Sequence, residues 1–298
     1  MDHLLPLLSI LVILLQLAVG LVTHAASPSE LYWRSVLPHT PMPNAIADLI
    51  KHSTNVGELA LGDHPVIKPM ATSARLRSSF FLENDLHAGA KFTLHFTGTG
   101  SRPYLLTRRE ADSIPFTTTK LPEILARFSI EPGSHDAKAI ETTLEECEEP
   151  SGYGQTKKCA TSLESMLDFT TSALRTRDID TVSTRVGKED SSEQQYNVVG
   201  VRGVTDSSDW VVCHVQPYAY AVFYCHTKSK AKAYMVSMVG EDGTKVEALA
   251  VCHDYLDSSN PKILAFQGFK PKRGTGNVCH FLPQDNIALI PKSQAKLL

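Results

Sequence analysis

Four times between Cys213 and His280 a cysteine is followed directly by a histidine: Cys213-His214, Cys225-His226, Cys252-His253 and Cys279-His280. The gaps between the pairs are 10, 25 and 25 residues. Chance placement of six cysteines and twelve histidines in 298 positions would give well under one such pair, so the repetition calls for a physical reason. Sulfur and imidazole are both metal donors, but an oxidised cysteine is no longer a thiolate ligand. Where the cysteines are oxidised, histidine is left as the metal donor.

Zinc held by thiolates would need the C-x2-C type of spacing, which is absent. Neutral imidazole suits zinc, copper, nickel and iron, and an all-imidazole set in an oxidising compartment favours Cu(II) by the Irving–Williams order. Copper is therefore the expected cofactor, with His214, His226, His253 and His280 as expected ligands. Two or three rings plus water would leave an open position, as redox chemistry requires. A single histidine is more often a hydrogen-bonded strand or surface residue; four in one repeated context are what that plainer reading does not predict. One metal site or two are both compatible with the spacing.

The elements that must position these residues are strands. Neighbours on a strand point to opposite faces, so in Trp210 to His214, Val222 to His226 and Leu249 to His253 the cysteine faces one side and the histidine the other. Cysteines on adjacent strands can bridge and so fix the register that sets the histidines on the far face. Strands are expected at Tyr196 to Val204, Trp210 to Val215, Tyr220 to His226, Ala233 to Val239, Val246 to His253, Ile263 to Phe266 and Val278 to Leu282. Short hairpin-like connections make the sheet mainly antiparallel. An earlier strand, Lys91 to Phe96, turns Phe92, Leu94 and Phe96 inward and leaves His95 on the polar face.

Helices precede the sheet. One spans Pro122 to Phe128, a second runs from a Ser134 cap to about Cys147, and a third starts at a Thr161 cap paired with Glu164. The third carries the stripe Leu163, Met166, Leu167 and Leu174, which reads as core packing. Cys147 and Cys159 bracket the turn between the second and third helices, and a disulfide there would pin a helical hairpin beside the sheet. The pairing of the four sheet cysteines stays open, since spacing does not choose among partners. The fold class is α+β: a mainly antiparallel C-terminal half with a preceding helical hairpin, disulfide-stapled.

The chain opens with the apolar run Leu4 to Val22 and a small-residue cleavage point near Ala25 or Ala26. Residues 1–25 read as a secretory signal peptide rather than a membrane anchor, because Pro6, Ser9, Gln16 and Gly20 interrupt the run and no Lys/Arg cluster flanks it. Residues 26–79 read as an N-terminal extension broken by Pro38, Pro41 and Pro43, with a short helix from Asn44 to Lys51. Residues 80–298 form the main domain. All six cysteines lie beyond the signal, and an even number in a secreted chain means disulfides, at most three, with 15 possible connectivities. The expected location is therefore secreted: apoplast, cell wall or vacuole.

A formal charge of −3 carries no electrostatic case for nucleic acid, nor for a membrane once the signal is removed. No Asn-X-Ser/Thr sequon, P-loop, G-x-S-x-G or H-E-x-x-H occurs. Gly274-Thr275-Gly276 after Lys270, Lys272 and Arg273 reads as a basic hairpin loop rather than a phosphate cradle, since it opens no helix. Tyr218, Tyr220 and Tyr224 crowd near the first two pairs and read as strand packing.

The Cys-His spacing of 10, 25 and 25 is similar to the signature of the plant BURP-domain proteins. Phe80 to Leu86, Glu146-Cys147-Glu148 and Cys159 to Ser162 resemble theirs too, so the likeness runs from about Phe80 to the C-terminus. The signal peptide, the short segment with Tyr32-Trp33 and the absence of repeats resemble the Unknown Seed Protein-like branch. Leu289 stands where the family usually has a Trp, so an aromatic support near the last strand is missing.

The resemblance implies two incompatible functions. In one, copper held by His214, His226, His253 and His280 serves, with dioxygen, to crosslink a Tyr or Trp of a short core peptide. That makes the chain a copper-dependent oxidative macrocyclase with a core peptide as partner. In the other, the chain is a non-catalytic secreted protein of seed development, stress response or the cell wall, with a cell-wall component as partner. Own-chain crosslinking needs a core segment ending in Tyr or Trp, and the chain has only Trp33 and Trp210. Glu30 to Trp33 is the nearest candidate, and Gln216-Pro217-Tyr218 lies inside the domain. The missing core favours the second function; a cyclase acting on a separate precursor stays open.

Overall fold

A computed structural model describes residues 26–55, 80–96, 103–151, 155–188, 192–205, 209–228, 231–254, 276–293 and 295. The signal peptide expected at 1–25 and the strand expected at Ile263 to Phe266 lie outside the described residues, as does most of the basic loop before Gly276. The fold is α+β with antiparallel sheets, as the spacing predicts.

The first helix, α1 (Pro28–Val36), lies in the segment expected to be a proline-broken extension. Ser27 and Glu30 cap each other reciprocally and Pro28 occupies the first turn, where its missing N–H costs nothing. The helix α2 (Asn44–Asn55) follows. Then come β1 (Phe80–Leu82), β2 (Lys91–Leu94), α3 (Arg108–Asp112), α4 (Leu121–Arg127), α5 (His135–Glu148), β3 (Lys157–Ala160) and α6 (Leu163–Leu174). Ser134 caps α5 as expected. The cap of α6 is Ser162 with Ser165, one residue beyond the expected Thr161 and Glu164 pair. Ser162 side chains suit this position as well as threonine, so composition alone does not choose between neighbours.

The remaining strands are β4 (Ile179–Val182), β5 (Arg185–Val186), β6 (Gln194–Thr205), β7 (Trp210–Gln216), β8 (Val222–Lys228), β9 (Lys232–Gly240), β10 (Lys245–Asp254), β11 (Asn277–Phe281) and β12 (Ile287–Pro291). Among the described residues they form two sheets. The larger has the order β1-β11-β10-β9-β6-β2, with β5 added beside β10. The smaller has the order β3-β8-β7-β12-β4.

The two sheets pack face to face. Trp210, Val212, Ala288 and Ile290 of the smaller sheet share one buried cluster with Ala233, Met235, Leu249 and Val251 of the larger. The outer face of the smaller sheet, with Val211, Cys213, Phe223, Cys225 and Leu289, is covered by α1, α2 and α6 through Trp33, Leu37, Ile46, Leu49, Leu163 and Met166. The larger sheet curls: Phe81 of β1 touches Phe92 of β2, from opposite edges, with ring centroids 4.8 Å apart. Its enclosed face holds Tyr196, Val236, Ala250, Cys252, Cys279 and Phe281.

The segment before the domain thus contributes core rather than a loose lead. Trp33 is 2 % exposed and its Nε1 donates to the Thr40 carbonyl at 2.9 Å. The Thr40 hydroxyl in turn donates to the Ile179 carbonyl at the start of β4.

A candidate histidine metal centre

Disulfides link Cys147 to Cys159, Cys213 to Cys225 and Cys252 to Cys279, which resolves the open connectivity. The first ties α5 to the edge strand β3, because Cys159 lies on a strand that separates α5 from α6 rather than in a turn joining them. The other two join residues that are direct partners in the ladder: Cys213 with Cys225 across β7 and β8, and Cys252 with Cys279 across β10 and β11.

Direct pairing of the cysteines dictates where the histidines go. His214 sits opposite Tyr224, and His226 opposite Val212; His253 sits opposite Val278, and His280 opposite Val251. Each histidine pair is therefore a diagonal pair on the face away from the sulfur. That face carries Trp210 and Val212 in one sheet and Leu249 and Val251 in the other, which are the residues of the shared inter-sheet core. The sulfurs lie on the sheet faces turned away from each other, under the helices in the smaller sheet and inside the curl of the larger, and the imidazoles lie on the faces between the sheets.

The two pairs are near copies. His214 Nε2 and His226 Nε2 are 3.3 Å apart, and so are His253 Nε2 and His280 Nε2. Ring centroids are separated by 5.4 Å in both, with interplanar angles of 19° and 18°. Two nitrogens bound to one metal at 2.0–2.1 Å lie about 2.9 Å apart at a right angle and about 3.3 Å apart at the tetrahedral angle, so each pair matches one edge of a tetrahedral or tetrahedrally distorted site. Among the described residues no group of three His, Cys, Asp or Glu side chains is gathered about one metal position. The donors are thus brought together two by two.

Electrostatics keep the rings neutral. Burial pushes His214 well below the usual histidine range, and His226, His280 and Lys228 act in the same direction. His253 is lowered by burial, then Lys228, His280, His226 and His214. His226 falls to about 3 and His280 to about 4, both mainly through burial and then Lys228, with the carbonyls of Thr227 and Phe281 opposing. The two pairs lie on the sheet faces that pack against each other. Neutral imidazoles are the form that donates to a metal.

The surrounding contacts fix ring orientation. His226 Nδ1 lies 3.3 Å from the Thr227 carbonyl and His280 Nδ1 3.4 Å from the Phe281 carbonyl. Asn286 approaches His214 Nδ1 at 2.9 Å. Tyr224 packs beside His226 at 5.5 Å between centroids, with Lys157 Nζ 5.2 Å from the Tyr224 centroid, and Phe80 packs beside His280 at 5.5 Å. Sequence reasoning names the four histidines but misses these neighbours. Lys228 and Tyr224 had a signal, since each is two residues from His226 and so shares its face. Asn286 had none. Leu289, at the place of the family's usual Trp, is fully buried on β12 against Val211 and fills core. His95 lies apart from this cluster as a half-buried residue after β2.

Paired ladder cysteines on the far faces of two packed sheets and paired histidines on the near faces define a disulfide-stapled β-sandwich with an internal imidazole centre. This chain belongs to the BURP domain family, whose model matches residues 79–291. It is 53% identical over 211 residues to BURP domain-containing protein 3 of Oryza sativa subsp. japonica, covering 70% of this chain and 49% of that protein. It is 44% identical over 288 residues to BURP domain-containing protein 5 of the same plant, covering 91% and 89%. It is 43% identical over 213 residues to BURP domain protein RD22 of Arabidopsis thaliana, covering 70% and 54%. The chain thus spans about half the length of the first and third relatives and most of the second.

Proposed function

We propose that this chain is a secreted copper-binding protein of the plant apoplast, cell wall or vacuole, acting in seed development, stress response or the cell wall. His214, His226, His253 and His280 would hold the metal. The observation that carries the reading is the twofold Nε2–Nε2 separation of 3.3 Å between neutral rings on facing sheets. Bound copper would supply one-electron and dioxygen chemistry. The protein's part is to orient the rings through the strand register and to keep them unprotonated by burial.

Crosslinking of its own chain is not part of this reading. Trp33 and Trp210 are both buried, and each indole N–H is hydrogen-bonded to a backbone carbonyl, of Thr40 and Ala231 respectively. Tyr32 donates to Asp168, whose other oxygen meets Arg108. The candidate segment Glu30 to Trp33 is thus part of α1 and of the core. The rival reading narrows to a macrocyclase acting on a separate peptide. There a Tyr or Trp side chain would bond to another peptide atom, and the two hydrogens lost would pass to dioxygen to give hydrogen peroxide.

Metal analysis of protein purified from an oxidising host tests the first reading: one or two copper ions per chain are expected. Protein that carries no transition metal, and takes up none on dialysis against copper, would sink it. Incubating the copper-loaded protein in air with a panel of Tyr- and Trp-containing peptides tests the rival. A mass loss of two hydrogens in any of them establishes turnover.

A further inference from the structure

We infer that Asn286 is a positioning residue that holds His214 in the tautomer unsuited to Nε2 ligation, so that the two histidine pairs load metal unequally. This rests on the copper reading above, but the latch itself is a property of the metal-free chain. Asn286 is 6 % exposed, in the turn that leads into β12. Its Oδ1 accepts the Val215 N–H at 3.3 Å. A backbone N–H only donates, so the oxygen end of the amide is assigned and the NH2 end must face His214 Nδ1, 2.9 Å away. An NH2 group only donates. His214 Nδ1 is then a bare acceptor, and the ring's single proton sits on Nε2.

The partner ring is set the opposite way. The Thr227 carbonyl only accepts, so His226 carries its proton on Nδ1 and presents a bare Nε2. His214 Nε2–H therefore donates to His226 Nε2 across 3.3 Å. His280 is set like His226 by the Phe281 carbonyl. The difference lies in the remaining ring: among the described residues no side chain is hydrogen-bonded to Nδ1 of His253. With respect to the described residues, nothing opposes a shift of the His253 proton to Nδ1, which would offer Nε2. For His214 the same shift would set an N–H against the Asn286 NH2, unless the amide turns over and abandons Val215. Outer contacts that fix a ligand's tautomer change metal affinity by about 10- to 100-fold. The His253 and His280 pair should therefore fill first and the His214 and His226 pair second.

The test begins without metal or mutation. Histidine 15N shifts of the metal-free protein, assigned through His214→Gln, should show His214 protonated at Nε2. In Asn286→Asp the carboxylate accepts both from Val215 and from His214 Nδ1–H, so His214 should switch to the Nδ1–H form. Copper titration against a chromophoric chelator should show two steps in the wild type, with the weaker step tightened about 10-fold or more in Asn286→Asp. A wild-type His214 already protonated at Nδ1 overturns the latch. So does a single-step wild-type titration, or a switched tautomer with both steps unmoved. Protein that shows the expected tautomers but binds no copper overturns the unequal loading and the copper reading together, while leaving the Asn286 hydrogen-bond assignment intact.

Discussion

Cys252 stands directly opposite Cys279 across β10 and β11, and the bond between them holds His253 against His280 on the reverse face. The bond closes a separation of 27 residues that includes the long connection between the two strands. Replacing both cysteines by serine should cost roughly 2–4 kcal/mol of stability and also weaken copper binding, because the strands lose the constraint on register. The Cys147 and Cys159 pair is the internal control. Its double serine variant should lose a similar stability, since it ties α5 to β3, yet bind copper unchanged. Chemical denaturation and chelator competition on both variants read the two effects separately. Equal loss of copper in both would mean that the disulfides act only through global stability.

Trp33 gives a test of whether α1 belongs to the folded unit. Its indole is 2 % exposed among Leu37, Ile46, Leu163 and Leu167. Truncation to alanine should cost about 3–5 kcal/mol, through a cavity and an unsatisfied Thr40 carbonyl. Copper stoichiometry should stay at the wild-type value, since Trp33 packs on the sulfur face of the smaller sheet and the histidines lie on the other. Urea unfolding checks the first expectation and metal analysis the second. A variant as stable as the wild type would show α1 to be a passenger.

The histidine centre was largely legible because a strand alternates with period two, and a Cys-His dipeptide on a strand must split across the sheet. The partners of the cysteines were not, because connectivity follows register, and register depends on contacts far apart in sequence. The strand β12 was missed because all its residues from Ile287 to Pro291 are buried, leaving no alternation to see. The edge strand β3 was hidden for a different reason: Lys157-Lys158-Cys159 between two helices reads as a connection. Helix α1 is followed by three prolines, which point to irregular chain, and its start is marked only by the short Ser27, Pro28 and Glu30 capping pattern. Asn286 acts through one amide on a ring 72 positions away, and nothing local announces it.

Glu83 anchors the turn after β1 to the larger sheet. It meets Lys232 Nζ at 2.8 Å and Asn277 Nδ2 at 2.7 Å, and it accepts from the Tyr234 hydroxyl. Burial pushes its carboxyl up, but the bonds from Lys232, Tyr234 and Asn277 outweigh this and hold it below the ordinary value of 4.5. A folded-state value below the unfolded one stabilises at pH above 4.5, and that stabilisation fades as pH falls through the folded value. Glu83→Gln should therefore cost about 1–3 kcal/mol at pH 7. The gap to the wild type should close below pH 4.5 as the wild-type carboxyl takes up its proton. Unfolding curves at pH 7, 5 and 3.5 check this; a pH-independent difference would assign the loss to shape rather than charge.

Copper held by the histidine pairs should also stabilise the folded chain. An ion that binds only the folded chain stabilises it by mass action, about 2.7 kcal/mol when free copper is 100 times the dissociation constant. Each proposed pair joins two strands of one sheet on the face packed against the other sheet, so the increment should appear in the cooperative unfolding of the packed sandwich rather than in local protection of one hairpin. Replacing His226 and His280 together by glutamine leaves one ring in each pair and should abolish the increment, while the metal-free protein should keep its fold because glutamine is a polar side chain of similar volume. Thermal scans with copper and with a chelator, on wild type and double variant, give four curves. Only the copper-loaded wild type should be shifted upward. An equal shift in the double variant would place the stabilising copper elsewhere on the chain.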